Sequence, residues 1–488
     1  MTPIEIPLEV SMNARLLASV TFLLLSCGAC LAAPAPPAPA PAEASSAAAR
    51  LRDSALAGTQ AFEFVRSLTT EVGPRSAGSP GDAAAVAWAT AKLEALGFAN
   101  VHAEKVTVPH WERGRNEGAI LAPWPQRVAL TALGGSAATP PSGLDAEVVG
   151  VATLDDLKKL DPGKAKGKIV FVWNRMERFR DGSGYRTAVA VRGTGAAEAA
   201  KLGAVGLLIR SVGTDSNRLP HTGSMQLDKG VPPVPAAAIS GPDSDVLEQE
   251  LRSGQAVRFH LDLETKTFPD AESANVIGEI PGRGAPGEIV LLGGHLDSWD
   301  LGTGAIDDGA GCAIVVEAAR RIGRLPEGER PRRTIRVVLF ANEEFGLSGA
   351  KAYALAHEKE LPSHVLAGEA DFGSGRVYRV GTRIAPSALP AFKTLAEVVA
   401  PLGIEIDPAN DAEGGADISP LAPAGVPVVS LDQDGTTYFD VHHSANDTAD
   451  KIDPKDLDQA VAAWSALIYS VAASDVKLGP APAPKEPE

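Results

Sequence analysis

Six residues in the second half of the chain have side chains that bind a hard divalent metal ion or activate water beside one. Imidazole and carboxylate ligands without thiolate favour Zn²⁺ and are compatible with Co²⁺ or Mn²⁺. A centre with two ions about 3.5 to 4 Å apart uses a carboxylate that both ions share, and hydrolysis also uses a base that binds neither. The pattern therefore predicts a hydrolytic centre with two metal ions. The residues are His295 in GGHLDSWD, Asp307 in GAIDDGAG, Glu343 and Glu344 in FANEEFG, Asp371 in GEADFG and His443 in VHHSANDT.

The first two segments are predicted to supply a ligand of one ion and the carboxylate that bridges both ions. His295 is a neutral imidazole ligand in this interpretation, and Asp307, in a glycine-rich loop, is the carboxylate that both ions share. Asp297 follows His295 by two positions, and its carboxylate can orient that imidazole or a neighbouring catalytic group. Asp308 is a candidate cap for the helix that follows.

The remaining segments complete the two ligand sets. Adjacent glutamates at a strand end point in different directions, so we assign Glu344 to the metal and Glu343 to the general base that acts on water. Asp371 completes the set of one ion and His443 that of the other, with Asp447 supporting the His443 loop. Each residue alone is commonplace, and only the combination is specific.

The elements that must position these residues can also be read from the sequence. From about residue 269, near-continuous apolar runs alternate with helical segments, which predicts an α/β fold with a mostly parallel mixed sheet covered by helices on both faces. Ligands of such sheets bind beyond the carboxyl ends of the strands. His295, Glu343 and Asp371 directly follow the segments IVLLGG, RVVLFAN and HVLAGEA. We therefore expect them at one edge of the sheet.

Shifts in composition divide the chain. Short Val/Ile runs separated by Gly and Pro, with no cluster of metal ligands, predict a small β-rich domain inserted into the α/β domain. Stretches rich in Pro and Ala cannot form a core. The predicted organisation is a signal peptide at 1–33, a Pro/Ala-rich linker at 34–48, a catalytic domain at 49–112 and 269–476, the inserted domain at 113–268 and a disordered tail at 477–488.

The N-terminal segment has the layout of an export signal. Arg15 precedes the apolar run LLASVTFLLLS, and the small residues GACLAA follow. The run is too short to span a membrane, so no transmembrane helix is expected in the mature chain. An alternative reads LLSC as an acylation motif with a lipid anchor at Cys27. Both interpretations place the protein outside the cytoplasm, either in the periplasm or secreted.

Composition excludes some partners. The net charge of −16 disfavours nucleic acid, which binds clustered Lys and Arg. The content of 44% hydrophobic and 22% charged residues is typical of a soluble globular protein.

Cys312 is the one cysteine outside the leader, so no disulfide is expected in the folded body, and its apolar surroundings indicate a buried position.

The motifs GGHLDSWDLGTGAIDDGAG, ANEEFGLSGA, EADFG and HHSANDT resemble the co-catalytic zinc exopeptidases of the aminopeptidase and glutamate carboxypeptidase group. The segments RSVGTDSNRLPHTG and KGVPPVPAAAIS resemble the protease-associated domain of that family, and the likeness runs from about residue 60 to 475. It implies two Zn²⁺ ions held by the ligands named above and a cis peptide bond between Asp307 and Asp308. It also implies small peptide substrates, chiefly dipeptides with free ends, and a homodimer.

Three alternatives stay open at this stage. Within the peptidases, the sequence does not distinguish an aminopeptidase, a dipeptidase and a carboxypeptidase. A non-catalytic, receptor-like binding module shares this fold, but such modules have lost several ligands, and none is missing here. A single-zinc cyclase of similar fold is disfavoured by His295, the bridging Asp307 and the inserted segment.

His442 generates the first testable prediction. Some relatives have a tyrosine immediately before the last ligand histidine, where it stabilises the oxyanion, and this chain has His442 there. If His442 contacts the oxyanion or the substrate, His442→Phe lowers turnover because the ring nitrogen is lost. Steady-state kinetics with a peptide substrate measures this, and unchanged turnover would refute the role.

Overall fold

The computed structural model describes residues 41–484, so the predicted signal peptide and Cys27 lie outside the described residues. Within that range the strands form two sheets and the helices pack around them. The strands are β1 (Ala99–Glu112), β2 (Asn116–Ala122), β3 (Gln126–Arg127), β4 (Leu130–Ala132), β5 (Leu144–Val151), β6 (Ile169–Val172), β7 (Gly206–Arg210), β8 (Ala236–Ile239), β9 (Arg258–Leu263), β10 (Lys266–Ile280), β11 (Ala285–His295), β12 (Arg333–Phe340), β13 (His364–Glu369), β14 (Val377–Arg383), β15 (Glu405–Ile406) and β16 (Val428–Gln433). The α-helices are α1 (Pro41–Leu56), α2 (Ala61–Glu71), α3 (Pro80–Leu96), α4 (Leu154–Lys158), α5 (Pro162–Ala165), α6 (Ser183–Lys201), α7 (Gly241–Arg252), α8 (Ala310–Gly323), α9 (Ser348–Ala356), α10 (Leu389–Ala396) and α11 (Pro454–Ala473).

The first sheet has the strand order β1-β10-β12-β11-β13-β16-β14-β15. Its centre is parallel, with His295 of β11 opposite Phe340 of β12, and Gly293 opposite Glu369 of β13. Antiparallel pairs flank this centre, β10 against β12 on one side and β14 against β16 on the other. The prediction of a mixed α/β sheet is confirmed.

Helices cover both faces of this sheet. Every residue of β12 is buried, because α8 and α11 lie on one face and α9 on the other. Trp464 of α11 and Tyr353 of α9 are among the largest fully buried side chains. Asp453 caps α11 by accepting a hydrogen bond from the Lys455 backbone N–H. Cys312 in α8 is fully buried, as expected.

The second sheet has the order β3-β2-β9-β5-β6-β7-β8-β4 and is built from residues 116–263. The chain leaves the first sheet at the end of β1 and returns at the start of β10, where Glu112 pairs with Lys266. The two positions at which the chain leaves and re-enters the first sheet lie next to the predicted domain boundaries at 113 and 268. The described residues nevertheless belong to one compact unit, so a separate inserted domain stays a prediction.

The structure differs from the sequence-based expectation at both ends. The linker predicted for 34–48 is helical from Pro41 onward, because alanine favours helix and the small side chains of Ala47 and Ala48 pack closely in the core. The tail predicted as disordered is ordered up to residue 484. Leu478 is buried and its carbonyl accepts from Ala385 N, while Ala481 N donates to the Gly425 carbonyl. No described helix is both long and apolar enough to cross a membrane.

The packed sheet generates a stability prediction. Leu292, in the middle of β11, is fully buried, so Leu292→Ala leaves a cavity and lowers the free energy of unfolding by about 2 to 5 kcal/mol. Leu355→Ala is the matched control, since Leu355 is 77% exposed and its loss changes stability by less than about 0.5 kcal/mol. Urea unfolding followed by circular dichroism measures both. Equal stability of the two variants would contradict the assigned burial.

Candidate metal centre

The carboxyl ends of β11, β12 and β13 bring together the residues that the sequence placed there. His295 is the last residue of β11, Glu343 and Glu344 lie in the turn after β12, and Asp371 lies two residues beyond β13. Since these strands are parallel neighbours, their ends meet at one edge of the sheet. His443 joins them from a loop further along the chain, where it has a left-handed backbone with φ 58°.

Asp307 occupies the middle of this edge. It lies in an irregular turn, Ala305–Gly309, that leads into α8, and its peptide bond to Asp308 is cis, as the resemblance implied. Its Oδ1 is 3.2 Å from His295 Nε2, and its Oδ2 is 3.1 Å from His443 Nε2. The two oxygens of one carboxylate therefore face two different imidazoles.

Each of the two imidazoles that face Asp307 has a second carboxylate nearby. On one side, Asp371 Oδ1 is 3.6 Å from His295 Nε2. On the other side, Glu344 Oε2 is 3.0 Å from His443 Nε2. Ligand atoms bound at about 2.0 to 2.2 Å to a tetrahedral ion are about 3.3 Å apart. The observed separations of 3.0 to 3.6 Å are compatible with metal coordination by these side chains.

The buried carboxylates at this edge also favour positive charge close to them. Burial lowers the pKa of His443, but the carboxylates of Glu344 and Asp307 outweigh burial and raise it to about 9. For His295, the lowering by burial is likewise overcome by Asp371 and other carboxylates, and its pKa lies well above the ordinary value. The protein without metal therefore holds protons where a metal ion would supply the positive charge instead.

Asp308 has a structural role, although it also lies close to His295 and Asp371. Its Oδ2 accepts from His295 N at 3.0 Å and its Oδ1 from Gly311 N at 3.0 Å, in the first turn of α8. Both oxygens thus bond to backbone N–H groups, and the expected helix-capping role fits this. A side chain at position 311 would overlap the Ala370 carbonyl, so glycine lets α8 approach the end of β13.

Asp297 contacts the site differently from the simplest expectation. Its carboxylate is 3.7 Å from His295 Nδ1, too far for a hydrogen bond, and the imidazole donates instead to the Asp297 carbonyl at 3.1 Å. The carboxylate accepts from Glu343 N at 3.0 Å and from Glu344 N at 3.4 Å. It therefore orients the turn that carries both glutamates.

Glu343 faces the cavity beside the ligand groups. Burial raises the pKa of its carboxyl group well above the ordinary value, and the carboxylates of Asp371 and Glu344 add to this effect. Asp447, which was expected to support the His443 loop, bonds instead to the segment that carries Asp307, because its Oδ1 accepts from Ile306 N at 2.6 Å. A carboxyl group that is not engaged by the ligand sets and titrates above its usual range suits acid-base chemistry.

His442 also lines the cavity. Its ring stacks on that of His443 with centroids 3.6 Å apart, and its Nε2 is 3.5 Å from Asp307 Oδ2. Burial, and next the nearby positive charge of His443, hold the pKa of His442 well below the ordinary value. His442 is thus a neutral ring that borders the centre.

Three side chains at the site escaped the sequence interpretation. Trp299 Nε1 donates to Glu344 Oε2 at 2.6 Å. Tyr185 and Arg192, both from α6 beside the second sheet, line the same cavity of about 370 Å³. Trp299 lies within the segment HLDSWD and could have been noticed, whereas Tyr185 and Arg192 are ordinary residues of a helix far away in the chain.

Comparisons with known proteins show the family to which the chain belongs. The family model described as peptidase family M28 matches residues 275–468. Carboxypeptidase Q of Mus musculus is 39% identical over 421 residues, which cover 86% of this chain and 87% of that protein. A crystal structure of a peptidase M28 precursor from Shewanella amazonensis SB2B is 48% identical with a TM-score of 0.89, and the match covers 91% of this chain and 100% of that one.

A more distant structure shares the fold. BSAP, a zinc aminopeptidase from Bacillus subtilis, is 22% identical with a TM-score of 0.62, and the match covers 86% of this chain and 97% of that one. Fold and site together define a metallopeptidase. The chain belongs to peptidase family M28. The motifs had indicated a member similar to carboxypeptidase Q, and this prediction is confirmed.

The protonated imidazoles generate a pH prediction. His443, with a pKa of about 9 in the metal-free protein, must lose its proton before Nε2 binds a metal ion. We expect Zn²⁺ binding at pH 7 to release protons, and metal affinity to rise with pH up to about 9 by about tenfold per unit for each proton released. Calorimetric titration in two buffers of different ionisation enthalpy counts the protons. His260→Gln is the control, because this partly exposed histidine belongs to the second sheet and its loss leaves the number of released protons unchanged. Zn²⁺ binding without proton release would contradict the assignment.

Proposed function

We propose that the protein is a two-zinc exopeptidase that hydrolyses peptide bonds of small peptides, chiefly dipeptides with free termini. The observation that carries the proposal is the position of Asp307, whose two oxygens face two different imidazoles, those of His295 and His443. The names of its relatives, carboxypeptidase Q and a zinc aminopeptidase, support zinc and exopeptidase activity. A cavity of about 370 Å³ is at the small end of the usual range for small-molecule sites, which suits a short peptide.

The ligand assignment follows from the separations. His295, Asp307 and Asp371 would hold one Zn²⁺, and Asp307, Glu344 and His443 would hold the other, with Co²⁺ or Mn²⁺ as further candidates. When bound, two such ions lower the pKa of water and polarise the carbonyl group of the substrate. Trp299 holds the Glu344 carboxylate in place through its indole N–H.

Glu343 is the proposed general base. Its carboxylate takes a proton from the attacking water and then gives that proton to the nitrogen of the leaving amine, so that it ends each turnover in its starting state. Asp297 keeps Glu343 in position by accepting its backbone N–H. His442 is proposed to contact the substrate or the developing oxyanion, since its neutral ring borders the same cavity.

A second candidate is an aminopeptidase of broader specificity with the same fold. The zinc aminopeptidase from Bacillus subtilis favours it, because that enzyme shares the architecture over 86% of this chain. A receptor-like module without activity is disfavoured, since all the expected ligand residues converge at one edge. Hydrolysis of dipeptides with free and blocked ends, with and without a chelator, distinguishes these functions.

Export and assembly are further parts of the proposal. The leader at 1–33 supports a periplasmic or secreted protein, with acylation at Cys27 as the anchored alternative. The homodimer rests on the resemblance alone. The inserted domain at 113–268 is proposed because the second sheet uses residues 116–263 only.

Two substitutions test the proposed centre. Glu343→Gln removes the base and leaves the ligands, so we expect both metal ions to be retained while kcat falls by about 10² to 10⁴. Asp307→Ala removes the shared ligand, so metal is lost together with activity. Metal content by mass spectrometry and hydrolysis of a dipeptide are measured on the same samples. Near-full activity of Glu343→Gln would show that another group is the base.

A further inference from the structure

The loop between β7 and β8, residues 211–235, lies against the segment that carries His443. The Thr222 N–H donates to the His443 carbonyl at 2.9 Å, and His443 Nδ1 lies 3.3 Å from the Thr222 carbonyl. The Nδ1 of His221 bonds to the His442 carbonyl at 2.5 Å. The carbonyls of two adjacent histidines are thus bonded to one loop of the second sheet.

His443 differs from His295 in the origin of its backbone support. His295 is the last residue of β11 and pairs with Phe340 of β12, so the first sheet holds it in place. His443 lies in a loop and has a left-handed backbone with φ 58°. This conformation is unfavourable for a residue other than glycine and persists only where the surrounding contacts enforce it. The loop at 211–235 supplies such contacts.

The surroundings of His221 fix the orientation of its ring. The side chain is buried, its backbone N–H donates to Ser211 Oγ at 3.0 Å, and its Nε2 lies 2.6 Å from Asp215 Oδ2. A Cβ at position 213 would lie 2.6 Å from Cε1 and Nε2 of His221, so Gly213 lets the backbone pass directly against the imidazole. A carbonyl oxygen only accepts, so Nδ1 carries a hydrogen and donates to the His442 carbonyl.

His221 acts on the centre from behind the cavity wall. The described residues that line the cavity include His442 and His443 but not His221. A shift of the His442 backbone would move the His443 ring, whose Nε2 lies 3.1 Å from Asp307 and 3.0 Å from Glu344. The bond from His221 therefore bears on the geometry of one group of candidate ligands without contact to substrate.

We propose that His221, oriented by Asp215, is a positioning residue that holds the His442–His443 segment and thereby supports binding of the metal ion at His443. The inference rests on the proposed function, since it concerns one of the two ions proposed there. Partners behind a ligand orient it and strengthen metal binding. The second sheet would then contribute to metal affinity, although none of the proposed ligands belongs to it.

Two substitutions at position 221 separate the two contacts of the ring. The amide nitrogen of Asn takes about the place of Nδ1, and that of Gln about the place of Nε2. His221→Asn thus keeps the donor to His442 and loses the contact with Asp215, whereas His221→Gln does the reverse. We expect His221→Gln to bind one of two Zn²⁺ ions about 10- to 100-fold more weakly and the other as in the wild type. His221→Asn stays close to the wild type for both ions. Competition with a chelating dye measures the two dissociation constants.

His260 provides the matched control. It also forms a histidine–aspartate pair of the second sheet, with its Nδ1 2.6 Å from Asp145 Oδ1, and it lies in β9, which pairs with β2 and β5. We expect His260→Gln to keep both Zn²⁺ affinities at the wild-type values. Circular dichroism and thermal unfolding of every variant identify a change in the fold.

Unchanged Zn²⁺ binding in His221→Gln overturns the proposal. A loss in His221→Asn as large as that in His221→Gln overturns it as well, because the contact with Asp215 or general packing would then be responsible. If His221→Gln does not fold, Gly213→Ala takes its place, since the added methyl group displaces the ring. Weaker binding of one ion in that variant supports the proposal, and unchanged binding overturns it. Zn²⁺ binding without hydrolysis of any dipeptide overturns the proposed function alone, and the affinities of the variants still decide the role of His221.

Discussion

The Asp307 carboxylate is the contact on which the rest of the site depends. Its two oxygens lie 3.2 Å from His295 and 3.1 Å from His443, so one side chain fixes the distance between two ligand groups. Holding both oxygens in these positions requires a rigid backbone around Asp307. Asp447 accepts from the backbone N–H of Ile306, and Asp308 joins the same segment to His295 and to α8. The segment that carries Asp307 is thus held by buried carboxylates that accept hydrogen bonds from peptide N–H groups.

The parallel centre of the first sheet explains why the ligands converge. Parallel neighbours end at the same edge, and burial of β11 and β12 on both faces fixes their register. The turns beyond these strands can then carry polar residues without disturbing the core. Asp297 connects the turns that follow two neighbouring strands. Its carboxylate lies just after β11 and orients Glu343 and Glu344 just after β12.

The second sheet also takes part in the cavity. Tyr185 and Arg192 reach it from α6, and Tyr185 packs against Phe439 and His442, which precede His443 in the chain. His221, near the second sheet, bonds to the His442 carbonyl at 2.5 Å. The wall of the cavity is thus formed by loops at the edge of the first sheet and by α6 beside the second sheet.

The sequence by itself determined the α/β class and the strands at whose ends the candidate residues lie, because hydrophobic runs and side-chain chemistry are local properties. It also indicated that the chain leaves the first sheet near residue 113 and returns to it near residue 268. It did not show that residues 41–48 are helical or that Leu478 is buried, since these follow from partners distant in the chain. Nor could it reveal the bonds of Asp297 to the two glutamate N–H groups, or the place of Arg192 beside His443. Those contacts join residues separated by tens to hundreds of positions, and only the packing of the two sheets decides which of them meet.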